Sequence, residues 1–239
     1  MIKDILKALR DYAGGLAAPD LCPVCGSELL EGEYGICLQC LMALPRCLTG
    51  SRQPLTEFLS NGVAPEGIAA SWFRYDPLSS MADVIRKAKY DDRPALIYSL
   101  GRQFARELMA TPLPGMPLGD VDVLLPVPMH WRKRMKRGYN QSEEVARGIS
   151  RESGIPVGDN LVAVAPHGTQ TRRTAADRRA NMEGKIAVEA PAELDGLNIA
   201  IVDDIATTGA TIVECVRAIS RSGARPATIG VLSLAIAGK

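Results

Sequence analysis

At 239 residues the chain has room for one α/β domain plus a small appendage, and its 46% hydrophobic and 23% charged residues exclude a disordered or fibrous protein. With 28 basic against 27 acidic residues the net charge is +1, so overall charge selects neither nucleic acid nor a membrane surface as partner. No apolar stretch approaches a membrane span; the longest, near Ile229 to Ala237, has the length of a strand.

The first predicted element is Met1 to Arg10, a short amphipathic helix with interspersed acids. It lacks the apolar core and cleavage site of a signal peptide, so the expected compartment is the cytoplasm. Five of the six cysteines then fall between Cys22 and Cys47. Cys22-Pro-Val-Cys25 and Cys37-Leu-Gln-Cys40 form two Cys-x-x-Cys knuckles, a spacing that can bring four thiolates tetrahedrally onto one Zn²⁺. Disulfides compete with this reading but do not suit a cytoplasmic chain. A thioredoxin-like pair would need a βαβ frame, which neither knuckle has. The interval between the knuckles is poor in apolar residues, so metal rather than a core is expected to hold it. Four thiolates close the coordination sphere, which makes the zinc structural; Cys47 and Cys215 are expected to be structural thiols.

Residues 48–65 are rich in Ser, Pro, Gly and Asn and read as a connection. They divide the chain into 1–50 (helix and zinc ribbon), a linker at 51–65, and an α/β domain at 66–239. Ile68 to Tyr75 reads as a strand stopped at Asp76-Pro77. Met81, Val84, Ile85 and Ala88 mark one helix face, and Leu96, Leu100, Phe104 and Leu108 another. Asp122 to Pro126 is a buried strand, with further strands at 161–165, 185–188 and 228–235. Strands alternating with helices predict a parallel α/β sheet.

Two stretches carry the chemistry. Ile199 to Val202 is a continuous β-branched run suited to a central strand buried on both faces; Asp203, Asp204 and Thr207-Thr-Gly-Ala-Thr211 follow, and then the helical spacing Ile212, Val213, Val216, Ile219. The first N–H groups of such a helix, with the Thr hydroxyls, suit a phosphate, and Gly209 permits close approach. The aspartates would repel that phosphate, but can accept from vicinal hydroxyls or face a divalent cation through water. A phosphate site beside a diol site describes a ribose 5-phosphate. A strand-to-helix turn with an Asp/Thr cap is the plainer alternative. The second stretch runs from Val127 to Ser142 and holds five basic residues and no acid between Arg132 and Arg137. As a solvated face it needs no explanation. Emerging beyond a strand end, where α/β folds bind ligands, it suits a pyrophosphate.

Ile199 to Thr211 resembles the loop by which type I phosphoribosyltransferases bind 5-phosphoribosyl 1-pyrophosphate (PRPP). The resemblance implies that Asp203 and Asp204 face the ribose hydroxyls and act in catalysis, and that Ala206, Thr207, Thr208, Gly209, Ala210 and Thr211 wrap the 5-phosphate. Pro126-Val-Pro128, Arg134, Arg137-Gly-Tyr-Asn-Gln-Ser142, Gln170-Thr171 and Arg178 with Asn181, all behind the cysteine knuckles, resemble the ComF family (ComFC/GntX-like proteins). That family is associated with natural competence and the use of external DNA. The likeness covers the chain from Cys22 onward, with Arg173-Thr174 departing from the family pattern. It implies a type I phosphoribosyltransferase fold behind a zinc ribbon. It also implies a pyrophosphate or flexible-loop set of Pro128, Met129, His130, Arg132, Arg134, Arg137, Tyr139, Asn140, Gln170, Thr171 and Arg178, with PRPP and Mg²⁺ as ligands.

On this reading the chemistry is Mg²⁺-dependent displacement of pyrophosphate at ribose C1 by an unspecified acceptor. The alternative is a non-catalytic, ligand-sensing module. There Trp131, Tyr139 and residues 132–137 contact single-stranded DNA, or the ribbon meets a DNA-uptake helicase. His130 either touches pyrophosphate or caps a strand end, and His167 lies in a loop. Ser, His and Asp form no recognisable nucleophilic set.

Overall fold

The chain, seen in a computed structural model, is described at residues 21–22, 24–33, 35–47, 68–78, 80–90, 94–111, 117–164 and 183–237. Its centre is a four-stranded parallel sheet in the order β1 (Ala69–Tyr75), β6 (Thr228–Ala237), β5 (Asn198–Ala206), β2 (Val123–Pro126). The parallel α/β sheet expected from alternating strands and helices is therefore present. The buried runs occupy its middle: Ile199 to Val202 are each fully buried. Alternate residues of β5 feed opposite cores, Ala200 and Val202 one and Ile199 and Ile201 the other, as the period of two requires.

Helices cover both faces. On the first lie α2 (Ser80–Tyr90), α3 (Pro94–Ala110) and α5 (Gln141–Ser153), whose Val84, Ile97, Leu100, Phe104, Val145 and Ile149 fill one core. On the second, α6 (Ala210–Ser222) buries Ile212, Cys215, Val216 and Ile219 against Ile199, Ile201 and Val231. Helices α3 and α5 approach unusually closely. A Cβ on Gly148 would lie 2.2 Å from the Tyr98 carbonyl oxygen, and one on Gly101 2.5 Å from that of Val145. Only glycine fits at either point, and this contact seats the N-terminal end of α5 beside the strand ends.

Two sequence expectations change here. The strands at residues 161–165 and 185–188 do not join the sheet. They are short, β3 (Leu161–Ala163) and β4 (Ile186–Val188), and pair antiparallel as a separate ribbon, held by Leu161 and Ile186 in the α6 core. The cysteine segment is also held by more than its thiols. Ile36, Leu41 and Leu44, the last two on or just after α1 (Leu38–Ala43), are buried in the same core as Leu96 and Leu100 of α3. The next residues dock on the sheet edge: Cys47 N–H donates to the Trp72 carbonyl at 3.0 Å and Arg74 N–H to that of Pro45 at 2.8 Å. Arg46 lies over the Trp72 ring, 4.8 Å from its centroid, and pairs with Glu107, which also accepts from Trp72 Nε1 at 2.9 Å. Of the buried Ile36, Leu41 and Leu44, Ile36 lies in the interval between the knuckles, expected to be held by metal rather than a core; Leu41 and Leu44 follow the second pair. The expected N-terminal helix and residues 51–65 lie outside the described residues, as do His167, Gln170, Thr171, Arg178 and Asn181.

Candidate functional site

Strands β5 and β2 run parallel, so their carboxyl ends share one edge, and the two informative stretches emerge there side by side. Strand β5 is longer than its apolar run and continues through Asp203 and Asp204 to Ala206. Asp203 is 7% exposed. Its Oδ1 accepts from Ser142 Oγ at 3.1 Å and from the Asp204 backbone N–H at 2.9 Å. Burial, then the charge of Asp204, pushes its carboxyl well above the ordinary carboxylate range. Cys215 lies fully buried in α6, and burial, then the charges of Asp203 and Glu214, raises its thiol as well. This fits a structural thiol.

Gly209 then takes a left-handed conformation, φ 68° and ψ 0°, and opens α6. The turn is held by Ala210 N–H donating to Thr208 Oγ1 at 3.4 Å, and the first turn of α6 carries no acid. Thr207 is exposed and Thr208 partly so, whereas Ala206, Gly209 and Ala210 are buried.

The basic stretch, expected to be a loop, is a two-turn helix, α4 (Trp131–Arg137). His130 caps it, Nδ1 accepting from Arg132 N–H at 3.3 Å, and the Gly138 N–H closes it onto the Arg134 carbonyl. Helical spacing sorts its side chains. Lys133, Lys136 and Arg137 line a cavity of about 490 Å³ with Pro128, Met129 and Asn140. Asp203, Asp204, Ile205 and Thr211 line it from the side of β5 and α6, and Val127, Gln141 and Ser142 complete the lining; of the expected 5-phosphate residues 206–211, Thr211 is the one that lines it. Trp131 and Arg134, three residues apart, face a second cavity of about 480 Å³ that shares Pro128, Met129 and Asn140 with the first. Arg134 pairs there with Glu143 at 3.1 Å.

Of the remaining candidates, Asn140 holds the turn by donating through Nδ2 to the Val127 carbonyl at 3.0 Å. Tyr139 is buried, and His130 is buried in its capping role, outside the lining of either cavity. Arg132 lies over the exposed Trp131 ring, 5.3 Å from its centroid. The sequence-derived site set omitted Lys133, Lys136, Gln141 and Ser142. Had residues 131–137 been read as a helix, the i, i+3, i+4 spacing would have singled out the two lysines with Arg137. Nothing in the sequence couples Ser142 to Asp203.

The four cysteines converge as their spacing predicts. Their sulfurs lie within 4.8 Å of one another, and Cys25 and Cys37 Sγ are 3.7 Å apart. Four thiolates at the Zn–S length would sit about 3.8 Å apart, so the cluster can hold zinc. The local turns are those of metal knuckles: Gly26 N–H donates to the Cys22 carbonyl at 2.8 Å, and Cys40 N–H to Cys37 Sγ at 3.4 Å. Hydrogen bonding at Ser27 draws the Cys25 thiol down to about 6, while burial and the other thiols raise Cys40.

The DNA utilization protein YhgH of Salmonella typhi is 29% identical over 230 residues, covering 92% of this chain and 98% of that protein. The Escherichia coli K12 protein of that name is 28% identical over 227 residues, covering 87% and 94%. Competence protein F of Haemophilus influenzae is 32% identical over 105 residues, 43% of this chain and 45% of its own. No protein-family model matches. Among solved structures, the glutamine phosphoribosylpyrophosphate amidotransferase from B. subtilis superposes with a TM-score of 0.39 at 17% identity, over 62% of this chain and 30% of its own. The L. donovani hypoxanthine-guanine phosphoribosyl transferase gives 0.32 at 16%, over 60% and 67%. Superpositions at these scores decide nothing, and the α/β assignment stands on the parallel register of the four strands. Over nearly its full length the chain is similar to the YhgH proteins, and over part of it to competence protein F.

Proposed function

We propose that the cavity binds PRPP with Mg²⁺, and that the chain transfers its ribose 5-phosphate to an acceptor within the use of external DNA. One observation carries this reading. The two carboxylates at the end of β5, Thr211 at the start of α6 and three cations of α4 line one cavity of ligand size. Ribose hydroxyls need acceptors, which Asp203 and Asp204 supply; phosphates need donors, which the start of α6 and the α4 cations supply. Asp203 Oδ1 accepts from Ser142 and the Asp204 N–H, which orients this carboxyl within the cavity lining. Asp203 and Asp204 are the residues that would hold Mg²⁺, which when bound would offset the charge of the leaving pyrophosphate. In the transfer, the bond from C1 to pyrophosphate oxygen breaks as the bond from C1 to the acceptor forms. The residues contribute position and electrostatics, with no covalent enzyme intermediate. The cysteine cluster holds structural zinc, and the cytoplasm is the compartment that suits its thiols.

Calorimetry with PRPP and Mg²⁺, followed by an acceptor screen for pyrophosphate release, tests this. Binding that disappears in the Asp203→Asn, Asp204→Asn double variant is the expected result; absence of PRPP binding in the unaltered protein defeats the reading.

A second reading has its own support in Trp131, 59% exposed, with Arg132 over its ring beside the second cavity. An exposed indole with basic neighbours is a stacking platform for single-stranded DNA. Pyrophosphate release with a base acceptor separates transfer from such a ligand-sensing, DNA- or helicase-binding module.

A further inference from the structure

Chemistry dictates which way the Gln141 side chain is turned. Arg137 Nη1 donates to Gln141 Oε1 at 2.8 Å. A guanidinium carries donors only, so the amide atom facing it must be the oxygen. The other end is then an NH₂ group, with two donors and nothing that accepts. Gln141 is 2% exposed, and among the described residues its Nε2 has no hydrogen-bond partner. Buried amide donors are nearly always paired, and those that are not call for an explanation. Gln141 and Arg137 both line the Asp203 cavity.

We propose that Gln141 is a ligand-positioning residue of this cavity, aiming Arg137 through Oε1 and donating through Nε2 to a phosphoryl oxygen of the pyrophosphate group. The inference rests on the PRPP reading and specifies which part of the ligand lies beside Gln141 and Arg137. Beyond their mutual hydrogen bond, these two lining residues have only donors left to offer, the buried Nε2 and the guanidinium. A phosphoryl oxygen only accepts and matches them. A ribose hydroxyl must also donate, and the acceptors for it are the carboxylates of Asp203 and Asp204. The unpartnered donor is then a feature of the ligand-free state, satisfied when the anion arrives.

The experiment compares the unaltered protein with Gln141→Leu and Gln141→Glu, titrated with inorganic pyrophosphate, PRPP and ribose 5-phosphate in the presence of Mg²⁺. Melting temperatures are recorded without ligand. Leucine removes the donor at similar volume; glutamate is isosteric, keeps an acceptor for Arg137 and cannot donate when ionised. Both variants should bind pyrophosphate and PRPP roughly 10- to 100-fold more weakly, the value of one hydrogen bond to a charged group. Ribose 5-phosphate affinity of Gln141→Leu should be little changed. The ligand-free Gln141→Leu protein should melt no lower than the unaltered one, because it no longer buries an unpaired donor. Unchanged pyrophosphate affinity in either variant overturns the inference, as do equal losses for PRPP and ribose 5-phosphate. A lowered melting temperature with affinity retained shows a packing role instead and also overturns it. If Gln141→Leu does not fold, Gln141→Glu decides alone. Failure of the unaltered protein to bind PRPP or pyrophosphate is a different result, which removes the PRPP reading and this inference with it.

Discussion

Ser142 Oγ donates to Asp203 Oδ1 at 3.1 Å, tying the first turn of α5 to the end of β5 across 61 positions of sequence. This contact joins the two informative stretches at the edge of the sheet. It holds Oδ1 of a carboxyl that lines the cavity. The same turn of α5 presents Gln141 to the cavity, so the seating of this helix positions both.

That seating depends on glycine. A methyl group on Gly148 would meet the Tyr98 carbonyl oxygen at 2.2 Å and the Arg102 nitrogen at 2.9 Å, both backbone atoms that cannot rotate aside. Gly148→Ala should therefore destabilise the fold by about 1–3 kcal/mol or more, read as a lowered urea midpoint, and weaken PRPP binding indirectly. An unchanged midpoint would show that α3 and α5 separate freely.

The raised pKa of Asp203 has a consequence for stability. The folded chain holds this proton more tightly than the unfolded chain, whose carboxyl titrates near 3.8. Stability from this group is fully present below that value and is lost as pH rises through the raised one. Asp203→Asn keeps an acceptor for Ser142 and cannot ionise. It should match the unaltered ligand-free protein in acid and exceed it increasingly toward neutral pH, measured as urea midpoints from about pH 5 to pH 8. An advantage that shrinks with rising pH would contradict the assignment. The variant should also lose PRPP affinity, so stability and binding move in opposite directions.

Selectivity for pyrophosphate is expected to reside on one face of α4. Arg137→Ala should weaken PRPP roughly tenfold or more while changing ribose 5-phosphate less. Arg134→Ala, whose side chain faces Glu143 and the second cavity, should cost less PRPP affinity than Arg137→Ala. If single-stranded DNA is instead the partner of this helix, Arg134→Ala should flatten the salt dependence of oligonucleotide binding. A PRPP loss in Arg134→Ala equal to that in Arg137→Ala would refute the division of faces.

Zinc analysis should find one ion per chain, lost in Cys37→Ser and kept in Cys47→Ser. Because Cys22, Cys37 and Leu41 share a core with α3, chelation should lower the melting temperature of the whole α/β unit. Full zinc in Cys37→Ser would refute the ligand set. A chelated protein that melts as before would show that the apolar contacts suffice by themselves.

The sequence by itself determined the local chemistry. Two Cys-x-x-Cys knuckles gather because each pair is held by its own tight turn. An unbroken β-branched run such as Ile199 to Val202 becomes a central strand because alternation is needed only where one sheet face is wet. The acids and the Thr/Gly turn beyond it were legible for the same local reason. The tertiary structure alone decided three things. Strands β3 and β4 read as sheet strands but pair with each other, because strand partners are chosen by long-range packing that composition does not encode. The basic stretch turned from loop to helix through the His130 cap, and only that periodicity separates Lys133, Lys136 and Arg137 from Trp131 and Arg134. Last, the contacts of Ser142 with Asp203 and of Gln141 with Arg137 arise from the close packing of α5 on α3, which brings together side chains that are unremarkable in their own segments.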